Sequence, residues 1–197
     1  MVRGSIQRPL IQSTQSPAGT VRVRHYLTLA IMVLLVTVPY LDKAFHIDDQ
    51  YYLQVARQIL RDPWRPYDFT WVGQGRRVSA FTNYAPPLFP YCLALGVSAF
   101  GEHELPLHCM MGLFTALAAG SMYALASRFC SRPLFATGLF LFNPLVVPGQ
   151  NLMVDMPMTA LALAALACHT SGTDQRRLGL VFVGGLLDLS EVLFHWE

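Results

Sequence analysis

Two adjacent aspartates, Asp48-Asp49, lie between a histidine, His46, and a tyrosine pair, Tyr51-Tyr52. A third, Asp155, stands far along the chain in Asn151-Leu-Met-Val-Asp155-Met-Pro157, at the mouth of an otherwise apolar stretch. A carboxylate can take the proton from an acceptor hydroxyl, and arginines can hold a phosphate leaving group through paired N–H donors. Such cations occur at Arg57, Arg61, Arg65 and the pair Arg76-Arg77. The plainer reading of each aspartate alone is a helix cap, which meets free amides and the positive end of the helix dipole. Pro157 also suits a first helical turn. An ionisable group at membrane depth is costly, however, and convergence of the three aspartates favours a chemical role.

The elements that position these residues are apolar. Of 197 residues, 53% are hydrophobic and only 13% charged, about half the charge of an ordinary soluble domain. That composition excludes disorder and predicts a membrane protein. Fourteen basic and twelve acidic residues balance to +2, which excludes a nucleic-acid clamp. Cys92, Cys109, Cys130 and Cys168 form no metal or redox spacing and read as small hydrophobes.

Residues 1–25 are polar and Arg-bearing and read as a cytoplasmic tail, followed by a transmembrane domain over 26–197. Tyr26 to Leu41 has no charge and no small-x-small cleavage site after it, so an uncleaved first span is expected. Apolar residues at 52, 55, 56, 59 and 60 fall at helical spacing, predicting a short surface helix that starts at Asp48 or Asp49. Further apolar stretches cover 88–100, 105–126, 134–147, 152–168 and 178–196, the last interrupted by Asp188 and Glu191. The thirteen residues of 88–100 are too few to cross. With that segment kept outside, the tail, Arg128 with Arg132, and Arg176 with Arg177 all fall in the cytoplasm. The expected architecture is an all-α, polytopic transmembrane bundle with an external loop over 42–104 built of surface helices. Asp48, Asp49 and Asp155 then share one face.

The run Asp48-Asp49-Gln-x-Tyr52-x-x-x-Ala56-Arg57-x-Ile59-Leu60 resembles the Asp-Glu-x-x-Tyr helix of the polyprenyl-phosphate-sugar glycosyltransferases with the C-type membrane fold. These include the dolichyl-phosphate-mannose protein mannosyltransferases and the aminoarabinose lipid A transferases. Tyr84-Ala-Pro86-Pro87-Leu88, Phe100-Gly101 and Val154-Asp155-x-Pro157 are similar to later segments of that family, in the same order. The resemblance implies transfer of a sugar from a lipid-phosphate carrier to a sugar, lipid or protein acceptor on the non-cytoplasmic face of the plasma membrane, with inversion. It implies Asp48 as the base on the acceptor, with Asp49 and Asp155 shaping the same site. Ala85 stands where the family often has a cation, and His108 where an Arg often opens the next helix. Arg76, Arg77 and His108 are therefore the expected donor-phosphate contacts. Gly185 to Ser190 carries none of the lysine usual in a later family segment. No cofactor is expected, with a divalent cation on His46, Asp48 and Asp49 left open. Family members are much longer, so the chain is expected to correspond to their N-terminal part and to be inactive alone. The alternatives are a catalytically inactive relative acting as a membrane binding or assembly subunit, and a small transporter using Asp155 and Asp188.

Overall fold

The structure is a computed structural model. It describes residues 18–73, 75–83, 88–144, 146, 150–175 and 177–192. The N-terminal tail to residue 17, the Tyr84–Pro87 motif and Arg176 lie outside the described residues, as do the side chains of Asp188 and Glu191.

Seven α-helices make up most of the described chain: α1 (Ala18–Thr37), α2 (Ile47–Arg61), α3 (Leu88–Phe100), α4 (Glu104–Phe129), α5 (Pro133–Leu141), α6 (Asp155–Gln175) and α7 (Leu178–Val192). The all-α expectation holds for the bundle, and two helical stretches, Arg22–Tyr40 and Glu104–Phe129, are long and apolar enough to cross a membrane. At 1.5 Å per residue α4 rises about 39 Å, more than the roughly 30 Å of a hydrocarbon core. Leu27, Ile31, Leu34 and Leu35 of α1 point outward, as do Leu113 and Leu117 of α4. Such faces gain nothing in water and suit lipid.

The helix termini sort by charge. His25 Nδ1 meets the Tyr123 hydroxyl at 2.8 Å, and Arg128 pairs with Asp174. The start of α1, the end of α4 and the end of α6 therefore share one end of the bundle, with Arg22, Arg24, Arg128 and Arg132 there. The opposite end carries the start of α4 and α6, and it carries α2.

That second end holds most of the soluble-like packing. One face of α2 buries Tyr51, Tyr52, Val55, Ala56 and Ile59 in a core with Phe89, Leu93, Leu107 and Met111 from α3 and α4. The predicted stripe is correct except at Leu60, which is exposed. Helix α3 has the predicted bounds, and its thirteen residues rise only about 20 Å. The loop is not wholly helical, however. Strands β1 (Thr70–Gly73) and β2 (Arg76–Ser79) pair antiparallel, with Trp71 opposite Val78 and Val72 opposite Arg77. A two-residue connection joins the paired Gly73 and Arg76, and Gly75 takes φ 76°, which a side chain would resist. The signal was present as β-branched and aromatic residues around a Gly-x-Gly, and the helical expectation for this loop passed over it.

Two further boundaries differ from the sequence reading. Helix α5 stops at Leu141 because Asn143 precedes Pro144, and a residue before proline is pushed out of the helical region. Helix α6 starts at Asp155 rather than residue 152, because Gln150 to Val154 are drawn into contacts of their own. Helix α7 folds back on α6 with almost no separation. A Cβ on Gly184 would lie 2.9 Å from the Ala165 carbonyl oxygen.

Candidate functional site: a carboxylate cluster where α2 meets α6

The N-terminus of α2 is capped by His46, not by an aspartate. His46 Nδ1 faces the Asp48 amide at 3.4 Å, and the Asp49 carboxylate reaches back to the His46 amide at 2.6 Å. This is a reciprocal capping box with Asp49 at its third position. Asp49 is fully buried, and its other oxygen accepts the Leu152 amide at 2.9 Å. Two backbone donors and the positive helix end offset the desolvation of a buried carboxylate. Asp49 thus ties the surface helix to the segment that leads into α6.

That segment is anchored residue by residue. Gln150 Nε2 donates to Thr115 Oγ1 at 3.0 Å, and the threonine hydroxyl donates onward to the Met111 carbonyl, all of it buried. Asn151 Oδ1 accepts from Lys43 Nζ at 2.5 Å. Leu152 is held by Asp49, and the Val154 amide lies against the Tyr52 hydroxyl. Asp155 follows as the first residue of α6, with an exposed side chain. A carboxylate presented from a loop fixed at four points is held in place without being buried.

The Asp48 and Asp155 charges both act on Tyr52, and the Asp49–Leu152 bond joins the segments that carry them. Burial of the Tyr52 phenol is the main reason its pKa is pushed up to about 12, and the Asp155 and Asp48 carboxylates both add to the rise, against the Val154 amide. Tyr52 is therefore neutral at any physiological pH, a hydroxyl within the field of two exposed carboxylates. Asp48 stands 3.4 Å from His46 Nδ1, with both side chains about half exposed. The arrangement offers an accessible base with an imidazole beside it, and a second exposed carboxylate at the start of α6. That suits removal of a proton from a polar hydroxyl.

The other expected residues are placed as follows. His108 is buried in the second turn of α4, its ring stacked on Phe45 at 6.0 Å between centroids. Its Nδ1 is 2.9 Å from the Glu104 carbonyl oxygen, to which it donates. Among the described residues Nε2 has no partner. Arg76 and Arg77 are exposed on β2, on opposite faces of the hairpin. No hydrogen bond or ion pair among the described residues joins either of them to the carboxylates. The hairpin still reaches the cluster, because Trp71 packs edge-on against Tyr51 at 5.2 Å and Tyr51 against Tyr52. Among the described residues no three His, Cys, Asp or Glu side chains form a group that could hold a metal ion. Asp49 has turned both oxygens to backbone amides.

No known protein family, curated protein or solved structure matches this chain.

Lys43, Gln150 and Asn151 belong to the cluster and have no role in the sequence reading, which placed Tyr52 only on the apolar stripe and in the family-like motif. One signal was available. Lys43 is the single lysine in the chain, placed just past the first apolar span.

Proposed function

We propose that the chain is an integral membrane glycosyltransferase, or its catalytic portion, that moves a sugar from a lipid-phosphate carrier to an acceptor on the non-cytoplasmic face. The supporting observation is the buried bond from the Leu152 amide to Asp49, which brings together the segments that carry Asp48 and Asp155, at the end of the bundle remote from most of the helix-end arginines. Two stretches long and apolar enough to cross a membrane support a place for that end at a bilayer surface, where a lipid carrier and a polar acceptor can both reach. In the proposed reaction the acceptor hydroxyl gives its proton to Asp48. Its oxygen forms a bond to the anomeric carbon as the carbon–phosphate oxygen bond breaks. The phosphate leaves with the electron pair, and the anomeric centre inverts. Asp155 orients the acceptor from the start of α6, and cationic or N–H donors hold the phosphate. His108, Arg76 and Arg77 are the contacts that the family resemblance implies for that role.

The test uses the protein in nanodiscs with a radiolabelled polyprenyl-phosphate sugar. Asp48→Asn is expected to reduce transfer about 10²- to 10⁴-fold, the usual worth of a positioned base, with donor binding retained. Equal turnover in Asp48→Asn would remove Asp48 from the role. Saturable donor binding without turnover in the wild type would fit either a membrane binding subunit or a catalytic portion that is inactive alone, and absence of donor binding would sink the reading altogether.

A further inference from the structure

Among the described cations near the α2 end of the bundle, Arg57 and Arg65 have carboxylate partners, and Arg61, Arg76, Arg77 and Lys43 have none within 4 Å. Arg57 is bonded to Glu102 through two nitrogens, and Arg65 pairs with Asp68. Arg76 and Arg77 are exposed on the hairpin and Arg61 on the far turn of α2. Lys43 is different. It is half-buried, has no carboxylate within 4 Å among the described residues, and its ammonium rests on the neutral side-chain oxygen of Asn151. An ammonium has three donors, and among the described residues only one of them is used.

Its depth and rigidity are equally specific. The first candidate span ends at Tyr40, and the Lys43 amide bonds the Tyr40 carbonyl at 3.3 Å. Lys43 therefore sits just beyond the apolar span, at the level where lipid phosphates lie. Asn151, itself buried, is flanked by Gln150, fixed to Thr115, and Leu152, fixed to Asp49. The ammonium is thus set in a rigid frame whose next elements are the carboxylates of Asp49 and Asp155. Three aspartates would repel an incoming phosphate. A cation held at headgroup depth in the same frame offsets that repulsion. A lysine that only neutralised Asp49 would contact its carboxylate, and here both Asp49 oxygens are taken by amides.

Resting on the glycosyltransferase reading, we propose that Lys43 is the residue that binds the phosphate of the lipid carrier, with Asn151 as its positioning partner. The ligand is a phosphate ester with a polyprenyl tail, and the cationic contact comes from the linker between α1 and α2 rather than from the hairpin arginines.

The experiment uses decaprenyl phosphate, decaprenol and inorganic phosphate as probes on the full chain in nanodiscs. Lys43→Gln should weaken decaprenyl phosphate binding about 10- to 100-fold, the worth of a charge-assisted contact, while Lys43→Arg restores most of it. Arg76→Ala with Arg77→Ala should change it less than Lys43→Gln does. Because Lys43 is the only lysine, amine acylation followed by peptide mass spectrometry reads this side chain in the unmutated protein. Decaprenyl phosphate should slow its acylation about tenfold or more, with decaprenol and inorganic phosphate at the same concentration having little effect. Equal binding by Lys43→Gln, or unprotected Lys43 in a protein that does bind decaprenyl phosphate, overturns the assignment and leaves the glycosyltransferase reading standing. Equal protection by inorganic phosphate overturns the lipid-carrier assignment. If decaprenyl phosphate binds no better than decaprenol, both proposals fall.

Discussion

Asp49 and Leu152 are 103 residues apart in the chain, yet the Asp49 carboxylate accepts the Leu152 amide at 2.9 Å in a fully buried setting. This bond joins the two segments that carry Asp48 and Asp155. It makes the geometry of the cluster depend on a residue that does not reach solvent.

The neighbouring aspartates should therefore respond in opposite ways to the same change. Asn at position 49 keeps one acceptor oxygen and turns an NH₂ towards a backbone N–H. Asp49→Asn should cost about 2–4 kcal/mol of stability, as expected for an unsatisfied donor beside a broken buried contact. Asp48→Asn, at an exposed side chain, should cost within about 0.5 kcal/mol. Thermal unfolding in one detergent compares the two. Equal losses would mean that Asp49 is not the tether.

Tyr52 supplies the pH dependence. Its phenol is raised by burial first and then by the Asp155 and Asp48 charges, so the fold favours the neutral form. Stability from this source is complete below the ordinary tyrosine value of about 10 and is lost as pH rises through about 12. The difference in tyrosinate absorbance between wild type and Tyr52→Phe isolates this group. Its midpoint should fall in Asp155→Asn, where one of the two charges is gone. An unmoved midpoint would mean that Asp155 does not reach Tyr52.

The contact between Arg57 and Glu102 should act at the acid end. Arg57 holds the Glu102 carboxyl below the usual range, chiefly through their hydrogen bond. The contribution is present above the ordinary glutamate value and lost as pH falls through the lowered one. Both side chains are substantially exposed, so it should be worth only about 0.5 kcal/mol and shrink in salt. A double-mutant cycle at neutral and acid pH measures it, and a coupling unchanged by acid would contradict the pairing.

Much of the scaffold was legible because it repeats a local pattern. The apolar stripe of α2 and the bounds of α3 follow from spacing within a dozen residues. The cluster was legible only in its exposed members. Nothing local to Asp49 tells that its partner is Leu152, and nothing local to Lys43 points to Asn151. Such pairs are created by packing between distant segments. His46 as cap was missed because an aspartate is the commoner choice, and the hairpin because a helical period was expected across the whole loop.

Glycines on successive positions of α7 provide a control for the α6–α7 contact. A Cβ on Gly184 would sit 2.9 Å from the Ala165 carbonyl oxygen and 3.1 Å from the His169 amide nitrogen, both main-chain atoms that cannot step aside. On Gly185 a Cβ meets nothing within 4 Å. Gly184→Ala should destabilise the hairpin by about 1–3 kcal/mol, as overpacking does, while Gly185→Ala should be neutral or slightly stabilising. Thermal unfolding of the two variants decides, and equal effects would contradict the close crossing.

Orientation in the membrane is the remaining expectation, and labelling of cysteines checks it. Trp64 is 93% exposed in the turn after α2, and Cys130 is exposed just past the end of α4. Trp64 follows α2, which is tied near the start of α4 by Arg57 and Glu102, and Cys130 follows the end of that helix, about 39 Å long, so a bilayer crossed by α4 is expected to separate them. Arg128 and Arg132 flank Cys130, and by the positive-inside rule that end is expected in the cytoplasm. In a background with Cys92, Cys109 and Cys168 replaced by serine, a membrane-impermeant maleimide on intact cells should label Trp64→Cys and leave Cys130 untouched until the membrane is permeabilised. Labelling of Cys130 alone would put the carboxylate cluster in the cytoplasm, where a carrier-dependent transferase facing outward could not use it. Labelling of both would mean that α4 does not cross at all, and the cluster would then lose its place at a bilayer surface.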